Sequence, residues 1–351
     1  MKIAIPHSRP TLGEAEAEAV HRVVLSGQLV QGREVAVFEE EVAAFTGRRF
    51  AVAVSSGTAG LHLALLALEV GEGDEVILPS YVCTALLHAA WAAGSTPVAV
   101  DVDPSTRNLD VGRVREKLGE RTRAIIAPHM FGLPAPVEEI EELDLPVIED
   151  CAMSIGAEHR GRPVGSFGRL SVCSFYTTKM MAAGEGGMVL TDDPELAERV
   201  RARREYDGLP ASHLRFNYKM TDVEAALGRV QLVRLPEFVA RRREVAGLYQ
   251  RGLVDSGLKL PLENPEHVYY RYILRAGAGA EPFMAALEEE GVAARRPIDR
   301  PLHRELGGED GEYPHATAAH RKDVSIPIYP SLGATEIDRV IKAVLKVAAG
   351  S

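Results

Sequence analysis

Short runs of apolar residues alternate with helix-like periods through the first half of the chain. Most runs are continuous in Val, Ile, Leu and Ala, which is typical of strands covered on both faces. The predicted strands are Val52–Val54, Glu75–Pro79, Pro97–Asp101, Ala124–Pro128, Pro146–Glu149, Leu170–Phe175 and Gly187–Thr191. Helical periods lie between several of them, at Thr58–Leu68, Thr84–Ala93, Val111–Leu118 and Pro136–Leu143. This alternation predicts an α/β fold with a mainly parallel seven-stranded sheet flanked by helices.

The pattern changes after Thr191. We predict a helix over Pro194–Glu205 and a long helix from Thr221 to about Arg251, long enough to bridge two lobes. A smaller α+β unit follows, with elements at Val268–Leu274, Pro282–Glu290, Val324–Ile326 and Ala334–Ala348. Between them, residues 291–322 are rich in Arg, Pro, Gly and His and are predicted to form an exposed or active-site loop. The predicted division is a large domain at 1–251 and a small C-terminal domain at 252–351.

Composition narrows the function classes. A net charge of −10 argues against a nucleic-acid surface, and the basic clusters at 199–204 and 241–243 are predicted to be solvated helix faces. The most apolar windows, 61–70 and 85–100, are broken by His, Gly and Pro, so no membrane span is expected. The three cysteines have no metal-ligand spacing and form no disulfide framework. We expect a cytoplasmic protein without a bound metal.

A turn of small residues, Ser55-Ser56-Gly57-Thr58-Ala59-Gly60, follows the first predicted strand and opens a helix. Backbone N–H groups at a helix N-terminus favour an anion, and the Thr58 hydroxyl adds a donor. The turn therefore indicates a phosphate site, although an N-cap and a tight turn without a ligand would use the same residues. It is not a P-loop, because no Gly-Lys-Ser/Thr follows.

A second candidate site is the acidic end of the strand in Val147-Ile148-Glu149-Asp150-Cys151-Ala152. Open α/β sheets bind their ligands at the carboxyl ends of their strands. A carboxylate at Asp150 can therefore pair with a protonated heteroaromatic nitrogen. A helix cap or a structural ion pair is the alternative interpretation.

The third candidate site is Lys179, which follows a strand and precedes the Gly-rich turn Gly184-Glu185-Gly186-Gly187. Near a cationic cofactor and away from water, such a lysine favours the amine and becomes a Schiff-base nucleophile. An ordinary exposed lysine is the alternative. Thr58, Asp150 and Lys179 together offer a phosphate site, an acid for a pyridinium and a reactive amine, which are the groups that pyridoxal 5′-phosphate requires.

With these sites in this order, nearly the whole chain resembles the DegT/DnrJ/StrS family of aminotransferases. The matching segments are Pro10, Ser26–Gly32, Ser56–Ala59, Pro79-Ser80, Glu149-Asp150, Ser174–Lys179, Gly184–Gly187, Phe216–Met220, Ala225–Gly228, Pro301–His303 and Ile326–Pro330. The resemblance implies a fold type I pyridoxal-phosphate transferase with a smaller α+β C-terminal domain. It also implies a homodimer in which the two subunits share active sites.

Residue roles follow from the same resemblance. Lys179 is similar to the lysine that carries the cofactor and shifts the proton, and Asp150 to the acid that keeps the pyridine nitrogen protonated. The implied phosphate ligands are Thr58, the backbone of Ala59, Ser174 and, from the neighbouring subunit, Asn217.

Three positions depart from the family pattern. Cys83 stands where an aromatic residue usually stacks on the cofactor ring, with Tyr81 two residues earlier as a candidate substitute. Met153 stands where Gln or His commonly lies near the ring hydroxyl, and it cannot donate a hydrogen bond. Lys219 stands where Arg is common, which weakens any bidentate carboxylate contact.

The resemblance implies transfer of an amino group from glutamate to a nucleotide-linked keto sugar. His303 and Tyr313 are candidates for substrate contacts, and a core or surface position is the alternative for His303. Three other functions stay open: a sugar dehydratase, against which the presence of Lys179 counts, a cyclitol aminotransferase, and a catalytically silent regulator that binds pyridoxal phosphate.

Overall fold

The computed structural model describes residues 4–207 and 214–350. The helices are α1 (Glu14–Ser26), α2 (Arg33–Thr46), α3 (Gly57–Ala67), α4 (Ala85–Ala92), α5 (Val111–Lys117), α6 (Val137–Glu141), α7 (Pro194–Arg204), α8 (Asp222–Leu253), α9 (Ala280–Glu289), α10 (Leu302–Glu305), α11 (Pro314–Lys322) and α12 (Ala334–Ala349). The strands are β1 (Phe50–Val54), β2 (Glu75–Pro79), β3 (Thr96–Val100), β4 (Thr122–Pro128), β5 (Val147–Asp150), β6 (Glu158–His159), β7 (Arg162–Pro163), β8 (Leu170–Ser174), β9 (Gly187–Thr191), β10 (Tyr272–Arg275) and β11 (Asp323–Ile326).

A seven-stranded sheet with the order β1-β9-β8-β5-β4-β2-β3 forms the centre of the molecule. The strands from β3 to β8 in this order run parallel, whereas β9 is antiparallel to both of its neighbours. The predicted mainly parallel sheet and all seven of its strands are confirmed. Each observed strand end lies within two residues of its predicted position, because most residues of the apolar runs that define these strands are buried.

Helix α8 joins two hydrophobic cores, as the long predicted helix suggested. Leu232, Leu235 and Val239 of α8 belong to the core around the large sheet. Its second half contributes Val245 and Tyr249 to a separate core, which is formed with β10, β11, α9 and α12. The position of the domain boundary at residue 251 stays a prediction.

The predicted loop at 291–322 is wrong, because this stretch contains α10 and α11. Pro314 occupies the first turn of α11, where its missing N–H costs nothing. The backbone N–H groups of His315 and Ala316 donate to the carboxylate of Asp101, at 2.9 and 2.8 Å. A carboxylate more than 200 residues earlier thus caps the helix, and local sequence contains no sign of it.

The expectation of solvated basic clusters is wrong for two of their arginines. Arg204 is buried and donates to the carboxylate of Glu39 at 2.7 Å. Arg242 is also buried, and it donates to backbone carbonyls instead of to a carboxylate. Arg243, the next residue along α8, is exposed as predicted.

Two N-terminal helices that the strand pattern did not include, α1 and α2, pack on α8. The alternating acidic residues of Glu14–Glu18 begin α1. The carboxylate of Asp222 accepts from the N–H groups of Gly32 and Val35, at 2.7 and 3.1 Å. Along the described ranges, no helix combines the length and apolar composition that a bilayer crossing requires.

The segment before β10 ties the C-terminal lobe to the large sheet through His267. Its Nδ1 accepts from the N–H of Tyr269 at 2.9 Å, so this nitrogen carries no proton. Its ring stacks on that of Tyr269 with centroids 4.0 Å apart. Burial lowers the pKa of His267 to about 3, with a smaller opposing effect of its hydrogen bond to Gly132.

This burial predicts acid sensitivity. An unfolded histidine takes up a proton below about pH 6.5, whereas native His267 does not until about pH 3. The free energy of unfolding should therefore fall as the pH drops below 6.5, with a contribution from His267 of up to about 1.4 kcal/mol per pH unit. Urea unfolding of the wild type and of His267→Gln between pH 7 and 5 should show a shallower slope for the variant. His21→Gln, at an exposed position, is the control, and equal slopes in all three proteins would contradict this account.

Candidate active site

The three sites singled out in the sequence meet at one edge of the sheet. Asp150 ends β5 and Ser174 ends β8, and the parallel pairing of these strands puts both residues at the same edge. Strand β9 returns antiparallel to β8, so the connecting segment 175–186, with Lys179, stays at that edge. The start of α3 follows β1 there, since Val54 pairs with Gly187.

The start of α3 is fixed against Ser174 by close packing. A Cβ at Gly57 would lie 2.8 Å from the Cβ of Ser174, so only glycine allows this approach. Thr58 is exposed and Ala59 is buried, with the Ala59 N–H donating to the N-cap hydroxyl of Ser56 at 3.1 Å. The N-cap interpretation therefore applies to the Ala59 amide, which was the amide expected to bind phosphate. The amides of Gly57 and Thr58 lie in the same first turn, where a helix has no carbonyl to offer them.

Asp150 is a buried carboxylate with few partners. One oxygen accepts from the N–H of Ala152 at 2.9 Å. Burial raises the pKa of the Asp150 carboxyl, although the Ala152 amide, Lys179 and His129 lower it. A buried acid of this kind favours a cationic partner, such as a protonated pyridine nitrogen.

Lys179 lies among groups that favour its ammonium form. Its Nζ is 5.4 Å from the centre of the Tyr270 ring. Burial lowers the pKa of Lys179, but Tyr270, Cys83 and Asp150 outweigh burial and raise it above its usual value. The sequence suggested an environment that favours the neutral amine, whereas the side chains around Lys179 favour its ammonium form. The cation that was expected beside Asp150 belongs to the cofactor and not to the chain.

Cys83 faces the site, whereas Tyr81 does not. Cys83 is exposed and lies close enough to Lys179 and Asp150 for their charges to affect its thiol. Tyr81 is fully buried, with its ring edge against Phe131 at 6.3 Å between centroids. The idea that Tyr81 replaces the missing stacking aromatic is therefore wrong, and its hydroxyl lies buried without a hydrogen-bond partner.

The remaining cofactor candidates differ in exposure. Met153 is buried in the core of the large sheet. Asn217 is exposed on the segment before α8. Lys219, on the same segment, forms an ion pair with Asp207.

His303 and Tyr313 form a structural pair. Their rings stack with centroids 4.4 Å apart, and His303 is fully buried. The ring nitrogens of His303 contact the Ser80 hydroxyl at 2.5 Å and the Asp310 carboxylate at 3.3 Å. The Tyr313 hydroxyl donates to the carbonyl of Ala99 at 3.3 Å. These contacts favour the core position for His303. They indicate that His303 and Tyr313 support the β2–β3 edge of the sheet rather than contact a substrate.

Sequence reasoning missed a buried polar network behind Asp150. The Glu149 carboxylate accepts from His129 Nε2 at 3.1 Å, the Gly165 N–H at 3.0 Å and the Ser171 hydroxyl at 3.1 Å. His129 Nδ1 accepts from the Ala135 N–H at 2.9 Å, so His129 has no nitrogen left to ligate an ion. Although Cys151 lies close enough to complete a set of metal ligands with Glu149 and His129, these hydrogen bonds make the group a structural support.

The residues at the sheet edge fit pyridoxal 5′-phosphate. Their donor set combines first-turn amides and the Ser174 hydroxyl for a phosphate, a buried carboxylate for a pyridinium, and a primary amine for an aldehyde. Cys83 is the residue that departs most from the expected site, because its thiol stands where an aromatic ring would stack on the cofactor.

Comparison with known proteins agrees with this fit. The family model of the DegT/DnrJ/EryC1/StrS aminotransferase family matches residues 10–345. The spore coat polysaccharide biosynthesis protein SpsC of Bacillus subtilis is 33% identical, covering 99% of this chain and 98% of that protein. The solved structure of the aminotransferase TlmJ from Streptoalloteichus hindustanus is 36% identical with a TM-score of 0.92, covering 99% of both chains.

A third relative, Spr1654 of Streptococcus pneumoniae, is named as a sugar aminotransferase and is known in two cofactor forms. Its pyridoxamine-phosphate form is 26% identical with a TM-score of 0.93, covering 99% of this chain and 98% of that chain. Its pyridoxal-phosphate form is 26% identical with a TM-score of 0.91, covering 99% of both chains.

The close packing at Gly57 generates a test of the phosphate site. Gly57→Ala should push the first turn of α3 away from Ser174, because the added Cβ has no space. We expect the free energy of unfolding to fall by about 1–3 kcal/mol and the affinity for pyridoxal phosphate to fall with it. Titration of the apoprotein with the cofactor measures this. Gly119→Ala, where a Cβ meets open space, is the control, and unchanged affinity in Gly57→Ala would argue against the site.

Proposed function

Since the chain belongs to the DegT/DnrJ/EryC1/StrS aminotransferase family, we propose that it moves an amino group from glutamate to a nucleotide-linked keto sugar. The enzyme is a transaminase and its cofactor is pyridoxal 5′-phosphate. The observation that carries the proposal is the meeting of Lys179, Asp150 and the start of α3 at one sheet edge. The donor and the acceptor are the parts of the proposal that experiments must decide.

The cofactor, when bound, accepts electron density from the Cα–H bond of the substrate and carries the amino group between the two substrates. In the proposal Lys179 attaches it and moves the proton at Cα through Nζ. Asp150 holds the pyridine nitrogen in its protonated form, and Ser174 with the first turn of α3 holds the phosphate.

The electrostatics of Lys179 support a coupling between Asp150 and proton transfer. Asp150 is one of the groups that raise the pKa of Lys179. A pyridinium paired with Asp150 would offset this carboxylate and lower the pKa of Lys179 toward the range of a general base. Asp150→Asn should therefore weaken both the cofactor contact and the proton transfer.

We further propose a cytoplasmic homodimer with shared active sites. Large apolar side chains are exposed on α1, on the turn after it and on α8, with Leu25 73%, Val30 69% and Val233 80% exposed. An apolar surface of this kind favours association with a second copy. Asn217 is exposed, as a residue serving the neighbouring site would be before assembly. The free thiols Cys83, Cys151 and Cys173 fit a reducing compartment.

Glutamate alone tests the donor. We expect it to convert the absorbance of the lysine-bound cofactor to that of the pyridoxamine form, because the first half-reaction needs no keto sugar. Aspartate and glutamine serve as alternative donors, and Lys179→Ala should show no conversion. If glutamate leaves the wild-type spectrum unchanged, the proposed donor is wrong.

Mixing two inactive variants tests the shared site. Lys179→Ala removes the amine, and Asn217→Asp puts a carboxylate where a phosphate is proposed to bind. In a mixed dimer the site with Lys179 from one subunit and Asn217 from the other is intact, so about a quarter of wild-type activity should return after random exchange of subunits. If mixing restores nothing although exchange is verified, Asn217 does not serve the neighbouring site.

A further inference from the structure

The segment that carries Asn217 is hydrogen-bonded to the turn of small residues before α3 in its own subunit. The N–H groups of Phe216 and Tyr218 donate to backbone carbonyls in the last turn of α7, at 2.8 and 2.9 Å. The carbonyl of Tyr218 accepts from the N–H of Ser55, the first residue of the small-residue turn, at 2.8 Å. Both residues that flank Asn217 are therefore fixed by backbone groups close to the start of α3.

The side chain of His62 contacts the same segment from α3. His62 is 4% exposed and lies four residues after Thr58, on the same face of the helix. Its ring packs in a T-shaped arrangement with that of Phe216, with centroids 4.9 Å apart. Its Nδ1 lies 3.3 Å from the hydroxyl of Tyr218. A change at His62 therefore reaches both neighbours of Asn217 at once.

The two flanking rings define the direction of Asn217. Phe216 and Tyr218 stack with centroids 4.9 Å apart and 10° between ring planes, and both rings contact that of His62. In an extended chain, the residue between two such neighbours points to the opposite side. Asn217 is exposed, as this geometry requires. Its direction thus depends on contacts that its neighbours make with α3.

We propose that His62 is a positioning residue that presents Asn217 to the phosphate of the cofactor in the neighbouring subunit. The inference rests on the proposed homodimer with shared active sites. An amide N–H binds a phosphate oxygen only within a narrow range of distance and angle, so a small displacement of the segment would lose the contact. Each active site would then depend on a side chain that is buried in the opposite subunit.

A positioning role and a merely structural role of His62 affect different subunits. If His62 only stabilised α3, its loss would weaken the phosphate site at the start of this helix, in the same subunit. A positioning role through Asn217 weakens the site of the neighbouring subunit instead. The subunit in which cofactor binding is lost therefore distinguishes the two roles.

Mixed dimers with one intact lysine test the positioning role. Two differently tagged chains are co-expressed, one with Lys179 and one with Lys179→Ala, and the mixed dimer is isolated through both tags. Its apo form is titrated with pyridoxal phosphate, and the absorbance of the lysine-bound cofactor reports only on the site with Lys179. His62→Leu is placed either in the Lys179→Ala chain, which supplies Asn217 to that site, or in the chain with Lys179.

We expect His62→Leu in the Lys179→Ala chain to weaken cofactor binding at the intact site about tenfold, as the loss of one hydrogen bond to a charged group would. In the chain with Lys179, the same substitution should change the affinity less than about threefold. His88→Leu, the same change at an exposed position of α4, is the control and should alter neither. Asn217→Ala in the Lys179→Ala chain should match the loss caused by His62→Leu.

Two results would overturn the inference, and they differ in what they leave standing. If Asn217→Ala acts across the dimer but His62→Leu does not, the role of His62 is wrong and the shared site stands. If neither substitution acts across the dimer, or no dimer forms, the shared site is wrong and the inference fails with it. If His62→Leu does not fold, Tyr218→Phe replaces it, because it removes only the hydroxyl beside Nδ1. Unchanged binding across the dimer in that variant would likewise rule out the role of His62.

Discussion

The parallel pairing of β5 with β8 is the constraint on which the site depends. Because both strands end at the same edge of the sheet, Asp150 and Ser174 are neighbours without any contact between their own side chains being needed. The antiparallel return of β9 then keeps the segment with Lys179 at that edge. Gly57 completes the arrangement, since its missing side chain lets α3 begin against Ser174. The backbone of the sheet and of α3 thus positions the reactive groups, and little depends on contacts between their side chains.

Charged groups of opposite sign lie near Lys179. Asp150 is a buried carboxylate at the end of β5, and Arg242 and Arg271 line a pocket together with Lys179. Lys179 lies between them and feels both, as the opposing effects of Asp150 and Arg271 on its pKa show. Small changes in what occupies either side would therefore change the protonation of this amine, which is the property that a proton-shifting lysine needs.

How much of the structure could be predicted from the sequence depended on how far apart the interacting residues lie along the chain. The strands could be predicted because each is a continuous apolar run, and the sheet edge followed from the alternation with helices. Arg242 could not, because its carbonyl partner at Ile328 is 86 residues away and a cluster of three arginines is ordinarily a solvated face. The α11 helix depends on Asp101 in the same way. Tyr81 and Cys83 are two residues apart just past the end of β2, where strand alternation no longer decides which side chain faces the cleft.

Helix α8 has a consequence for how the molecule comes apart. Its Leu235 belongs to the core of the large sheet and its Tyr249 to the C-terminal core, and one helix, which continues past Pro236, connects them. Fraying of one core would release a helix that the other core also uses, so we expect the two cores to lose order together. A chimera joined within α8 would have to match both halves of the helix to their new surroundings, and exchange of the C-terminal lobe between relatives is constrained accordingly.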